Sequence, residues 1–133
     1  MKKYFISILL FLFYAAAYSQ SYSKANLIGI WTSTDESDQT GSFNFVDSSR
    51  LIMISPDKDT VNVIYKIVIA KDALLIDIID TRTATPKTLE GVIRFQDQDT
   101  ITMELFFDEK RPATLTAADP ENSMTFKRVI QTK

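Results

Sequence analysis

The chain has no cysteine and no histidine among its 133 residues. Without cysteine there are no disulfide bonds, and the lipid anchor of bacterial lipoproteins, which needs a cysteine just after an apolar run, is excluded. Without either residue type the usual proton shuttle near neutral pH, the Ser–His and Cys–His nucleophile pairs and histidine-ligated metal sites are also excluded. The fold must therefore be stabilised by an ordinary hydrophobic core, and any catalysis would depend on carboxylates.

Long apolar runs are also scarce, and the only one lies at the N-terminus. Lys2 and Lys3 precede the apolar run Phe5–Ala17, and Ala17 and Ser19 place small residues where a signal peptidase reads them. The run is too short to cross about 30 Å of hydrocarbon with margin. We therefore predict a signal peptide over residues 1–19, a single domain over residues 20–133, and export to the periplasm or the extracellular space.

The charge balance is mildly acidic, with 15 Lys and Arg against 17 Asp and Glu and a formal net charge of −2. Removal of Lys2 and Lys3 with the leader leaves 13 basic against 17 acidic residues, a net charge of −4. The basic residues are scattered and form no stripe. Nucleic acid and anionic membrane surfaces are therefore not expected partners, and no membrane span is expected.

Runs rich in Val, Ile, Phe and Thr recur about every ten residues, with turn residues between them. This spacing is typical of an all-β protein, and the short connections favour a single antiparallel up-and-down β-barrel of about eight strands. A ninth, short strand is considered at Ala113–Thr116. The eight predicted strands are Leu27–Ser33, Gly41–Val46, Arg50–Ile54, Thr60–Ile69, Ala73–Ile79, Thr88–Phe95, Thr100–Phe106 and Ser123–Ile130.

Two hairpins can be placed in register from the sequence. A two-residue loop at Lys71 and Asp72 pairs residues whose numbers sum to 143, and a three-residue loop at 97–99 pairs residues whose numbers sum to 196. Both registers keep apolar side chains on one face, and a slip by one residue would spoil both.

The two ends of the domain carry a family resemblance. Leu27-Ile28-Gly29-Ile30-Trp31 in the first strand and Thr125-Phe126-Lys127-Arg128 in the last resemble the signature of small secreted bacterial lipocalin-like (calycin) domains. The resemblance implies that Gly29, Trp31 and Arg128 close the barrel, with the arginine packed across the indole. The chain departs from typical lipocalins in being short and in lacking a C-terminal helix, a cysteine bridge and a long loop after the first strand.

A lipocalin-like barrel implies a small apolar ligand, bound without catalysis. Tyr65 is the one inward residue with a polar tip, which makes it the best candidate to orient a ligand. The same side chains could instead simply fill a solid barrel. The candidate lining residues are Phe43, Phe45, Tyr65, Phe95, Met103 and Phe126.

The outer faces of two predicted strands carry an apolar strip in which Ile64 faces Ile79 and Val68 faces Leu75, with Val92 and Phe106 as extensions. A contiguous strip of this kind indicates a homodimer or a protein partner, unless another segment of the chain covers it. The alternative function is therefore a protein-interaction module with a solid core.

Paired acidic residues lie at predicted strand ends, where they suit turns. We expect no enzyme activity, no cofactor and no metal; a weak calcium site at Asp97 and Asp99 and a carboxylate-based hydrolase are minor alternatives. The pairs are Asp57 with Asp59, Asp97 with Asp99, Asp108 with Glu109, and Asp119 with Glu121.

Overall fold

A computed structural model describes residues 22–34, 41–115 and 122–130. Within these ranges the chain forms one 3₁₀ helix followed by eight β-strands and no α-helix. The 3₁₀ helix spans Lys24–Leu27, and the strands are β1 (Gly29–Ser33), β2 (Ser42–Phe45), β3 (Arg50–Ile54), β4 (Thr60–Ile69), β5 (Leu74–Asp80), β6 (Lys87–Asp97), β7 (Thr100–Phe106) and β8 (Ser123–Arg128).

The strands close into an antiparallel barrel in sequence order, with β8 paired back to β1. The predicted up-and-down barrel is thus confirmed. So are both hairpin registers: Lys66 lies opposite Asp77 in β4–β5, and Ile93 lies opposite Met103 in β6–β7.

Three local predictions were wrong. Leu27 ends the 3₁₀ helix rather than starting β1, because it is buried at the end of the barrel rather than in its wall. The β6–β7 connection contains two residues, Gln98 and Asp99, because the register shifts between Phe95 and Asp97. Residues 113–115 form no strand, and Thr116 lies outside the described residues.

Alternation along each strand builds the core, since successive side chains of a strand point to opposite faces of the sheet. In β3, whose two faces are both apolar, Leu51 and Met53 pack against the core while Ile52 lies on the other face. The fully buried residues include Trp31, Phe45, Ile76, Ile93, Ile101 and Met103.

The barrel has two unlike ends. The end at which β1 begins and β8 finishes is called the closed end, because the 3₁₀ helix lies there. At the other, open end, β3, β5 and β7 finish and β4 and β6 begin.

The predicted signal peptide, residues 1–19, lies outside the described residues, so that prediction stands as made. None of the described helices is long and apolar enough to cross a membrane.

Candidate functional site

The closed end is organised by Arg128. Its guanidinium carbon lies 4.3 Å from the ring centroid of Trp31, which sits opposite it in the β1–β8 pairing. A cation over an indole in a desolvated setting contributes about 2 kcal/mol. The indole Nε1 donates to the Leu27 carbonyl at 2.8 Å, so the tryptophan also holds the end of the 3₁₀ helix.

The same guanidinium hydrogen-bonds to two separate segments. Its Nη2 and Nη1 donate to the carbonyls of Asn26 (2.5 Å) and Ile28 (2.7 Å) around the end of the 3₁₀ helix. Its Nε donates to Asp99 Oδ1 at 3.0 Å, and Nη2 reaches the Gln98 carbonyl at 3.3 Å in the β6–β7 turn. Arg128 therefore ties the N-terminal segment, the barrel seam and one hairpin into a single cluster.

Gly29 makes this arrangement sterically feasible. Its backbone φ is +131°, a value that residues other than glycine rarely adopt. A Cβ at this position would lie 2.9 Å from Arg128 Nη1. The Gly-x-Trp pattern in the sequence thus has a physical cause: the glycine leaves room for the arginine that covers the tryptophan.

Tyr65, the residue expected to orient a ligand, is engaged in structure instead. Its hydroxyl donates to the Asp47 carbonyl in the β2–β3 turn at 2.6 Å, and Lys24 Nζ lies 5.2 Å from its ring centroid. Burial, followed by the nearby Asp47 charge, raises the pKa of Tyr65. The pKa of Asp47 is lowered well below its usual range, first by the Ser49 backbone N–H and then by the Arg50 side chain.

The other predicted lining residues form an aromatic core. Phe43 meets Phe126 edge-on at 5.2 Å, Phe45 meets Tyr65 edge-on at 5.1 Å, and Phe95 stacks on Tyr22 at 4.3 Å. Met103 is fully buried in the same core. Such pairs contribute about 0.5–1.5 kcal/mol each beyond their burial.

A cavity of about 710 Å³ lies at the open end, and none of the six predicted lining residues borders it. Its apolar floor comes from inward-pointing side chains of β3, β4, β5 and β6, and Phe106 and Phe107 at the end of β7 border it as well. The floor residues are Met53, Val61, Val63, Ile78 and Leu89. The volume falls within the range of small-molecule sites, about 300–1,000 Å³.

The rim of the cavity is charged. Asp80 and Lys87 lie opposite each other where β5 ends and β6 begins, and Arg82 donates to both carboxylate oxygens of Asp80, at 2.9 and 2.8 Å. Arg82 lowers the pKa of Asp80 to about 2, chiefly through the side-chain hydrogen bond. Lys110 and Glu109 complete a rim of mixed sign around an apolar floor.

Sequence reasoning missed this set because alternation identifies which side chains point inward but not how deep each one lies. Val61, Val63, Ile78 and Leu89 follow the inward parity of their strands. They border the cavity together with Phe106 and Phe107, whereas the aromatic side chains Phe43, Phe45, Tyr65 and Phe126 pack against one another and do not border it. No pattern in the sequence marks that depth.

The outer strip is present in register, with Ile64 opposite Ile79 and Val68 opposite Leu75. Only Ile64 and Val68 are exposed, whereas Leu75 and Ile79 are half-buried.

The prediction that Val92 and Phe106 extend this exposed strip is wrong, because both side chains are buried. Arg111, in the connection after β7, crosses this face. Its backbone N–H donates to Glu90 Oε2 at 2.7 Å and its Nη1 to Asp77 Oδ1 at 3.2 Å.

The carboxylate pairs that are described lie at strand ends or in the connections between strands. Asp97 Oδ1 accepts the Asp99 backbone N–H at 2.8 Å, and Asp99 itself pairs with Arg128. Asp119 and Glu121 lie outside the described residues. Among the residues that are described, no group of three or more Asp and Glu is placed to hold a metal ion.

Comparison with known proteins gives no match to a family model, to a curated protein sequence or to a solved structure.

Proposed function

We propose that the protein is an exported, lipocalin-like barrel that binds a small apolar ligand without catalysis. The observation that carries the proposal is the contrast between the two ends: the closed end is sealed by Trp31 and Arg128, while the open end leads into a cavity of about 710 Å³ with an apolar floor. Burial of an apolar ligand on that floor contributes about 25 cal/mol per Å² of surface removed from water.

The shape of the ligand follows from the cavity. The floor offers side chains without polar atoms, apart from the thioether of Met53, and the charges are confined to the rim. A ligand with an apolar body and a polar end fits this division, since its polar end can stay in water among Arg82, Lys87 and Glu109.

The absence of catalysis rests on the composition. Neither histidine nor cysteine occurs in the sequence, and the carboxylates at Asp97, Asp99 and Asp80 already pair with arginines or turn amides. We expect no hydrolysis of esters or phosphoesters above the uncatalysed rate in buffer. Turnover that disappears on replacement of a paired carboxylate would overturn this part of the proposal.

Binding can be tested with a polarity-sensitive apolar dye excited in the visible range. Val61→Trp fills the cavity from its floor and should abolish dye uptake. Asn62→Trp is the matched control: it places the same side chain on the next residue of β4, on the exposed outer face, and should bind dye like the wild type. Equal dye binding by the two variants, or no dye binding by the wild type, would refute the proposed site.

The alternative, a protein-interaction module using the outer strip, has less support. Of the four residues that define the outer strip, only Ile64 and Val68 are exposed. Arg111 crosses the adjoining face of the sheet. Ile64→Lys combined with Ile79→Glu tests it: loss of a partner with unchanged dye binding would favour this alternative over the ligand site.

A further inference from the structure

The β4–β5 hairpin extends past its neighbour at the closed end. β3 begins at Arg50, which lies opposite Ile64, and the last contact on that side is the Tyr65 N–H donating to the Ser49 carbonyl at 2.9 Å. Strand β4 continues to Ile69. Along Lys66–Ile69 it is therefore paired with β5 on one side, and in the described part of the chain no strand lies on the other.

The direction of the backbone groups along this edge follows from the turn. The Ala70 N–H donates to the Ala73 carbonyl at 2.9 Å, so alternate residues Val68 and Lys66 make the hydrogen bonds to β5. Ile67 and Ile69 then direct their N–H and C=O groups away from β5, as Tyr65 does toward Ser49. The edge thus presents two donors and two acceptors.

The side chains on this edge are unusually apolar for a free strand. Val68 is 61% exposed and Ile69 is 66% exposed. Exposed strand edges are normally protected by charges, proline or a bulge, because they template pairing with another chain. Between Ile67 and Ala70 none of these devices occurs, and Lys66 faces Asp77 within its own sheet.

We propose that this edge pairs with the same edge of a second copy of the chain, in antiparallel orientation about a two-fold axis at Val68. In that register Ile67 lies opposite Ile69 of the second copy, so all four backbone groups of each edge are used. The two Val68 side chains then meet at the axis. Each Lys66 falls opposite Ala70 of the other copy, so like charges do not face each other.

Neighbouring registers fit less well. A shift that places Ile67 opposite itself would bring Tyr65, whose N–H is already bonded to Ser49, opposite Ile69. A self-complementary edge of this kind suits an isologous dimer, in which the same surface serves both partners. The inference is independent of whether the cavity binds a ligand.

Sedimentation velocity over a range of concentrations tests the proposal, together with hydrogen exchange of individual amides. We expect the wild-type mass to double with concentration and the Ile67 and Ile69 amides to become protected in parallel. Val68→Lys sets two cations against each other at the axis and should remain monomeric, with circular dichroism and melting temperature like those of the wild type. Ile130→Lys is the matched control, since it changes an exposed isoleucine that follows β8 and is not part of the β4–β5 hairpin, and it should still dimerise.

A second variant addresses the backbone alone. Ile69→Pro removes an N–H that points away from β5, so it should abolish dimerisation without unfolding the barrel, whereas Val68→Pro removes a bond to β5 and should destabilise it. A wild type that stays monomeric at every concentration, a dimer that survives Val68→Lys, or pairing only with an extended peptide of another protein would each overturn the proposal.

Discussion

At the scale of single residues, Arg128 is the side chain with the most structural consequences. It stacks on Trp31 and donates hydrogen bonds to four different residues, two in the N-terminal segment and two in the β6–β7 turn. The sequence allowed the Trp–Arg contact to be anticipated from the resemblance. It did not allow the carbonyl partners to be anticipated, because they depend on the 3₁₀ helix that replaces the start of the predicted first strand.

Arg128→Ala should lower the free energy of unfolding by about 1–3 kcal/mol, because the stacked cation is lost and the carbonyls of Asn26 and Ile28 lose their donor. The emission of Trp31, the only tryptophan, should shift to longer wavelength as the indole becomes hydrated. Arg50→Ala is the control: its ion pair with Asp47 is exposed, so its loss should change stability much less. Equal stability of both variants and unchanged Trp31 emission would contradict the role assigned to Arg128.

Tyr65 gives a prediction that separates a structural role from a ligand-binding one. Tyr65→Phe removes the hydrogen bond to the Asp47 carbonyl and should cost about 0.5–1.5 kcal/mol of stability, with dye affinity unchanged because the hydroxyl does not reach the cavity. A large loss of dye affinity would instead restore Tyr65 as a ligand residue.

The raised pKa of Tyr65 has a consequence for stability at alkaline pH. Because the folded-state pKa lies above the unfolded value of about 10, its contribution is fully present below pH 10 and is lost as the pH rises through the folded pKa. The stability difference between wild type and Tyr65→Phe should therefore change above pH 10 and stay constant between pH 7 and pH 9. Chemical denaturation at each pH measures it, and a difference that is flat up to pH 12 would show that this tyrosine titrates alike in both states.

At the scale of elements, the register of paired strands could be predicted from the sequence. The depth of each inward side chain along the barrel axis could not. Alternation and turn length placed Lys66 opposite Asp77 and Ile93 opposite Met103, since a slip by one residue would turn every apolar side chain outward. Depth along the barrel axis has no such signature. Met103 and Val61 both point inward, yet Met103 is fully buried in the core and Val61 borders the cavity.

The connection after β7 is the element whose role was least visible in the sequence. Asp77 and Glu90 lie directly opposite each other on the outer face, a like-charge pair that Arg111 bridges. Arg111→Ala should destabilise the barrel by about 1–3 kcal/mol, since Asp77 loses its cation and the Ile76 and Gly91 carbonyls lose a donor, while the backbone N–H that binds Glu90 remains.

The matched control for this change is Lys110→Ala, which removes the neighbouring exposed cation and should alter stability by less than about 0.5 kcal/mol. Thermal unfolding of both variants at low and high salt measures the difference. If the two variants have the same melting temperature, Arg111 does not hold the connection against the sheet.

At the scale of the whole molecule, the barrel is filled from the closed end and empty toward the open end, and this division predicts opposite effects of two similar substitutions. Met103→Trp inserts a large ring among enclosed side chains and should cost about 1–3 kcal/mol through overpacking, while dye binding by the folded fraction persists. Val61→Trp has room in the cavity and should leave stability nearly unchanged while abolishing dye binding. Isothermal denaturation combined with dye titration separates the two outcomes. If Met103→Trp also abolished dye binding without loss of stability, the cavity would have to extend through the aromatic core, and the division of the barrel into a sealed half and a binding half would be wrong.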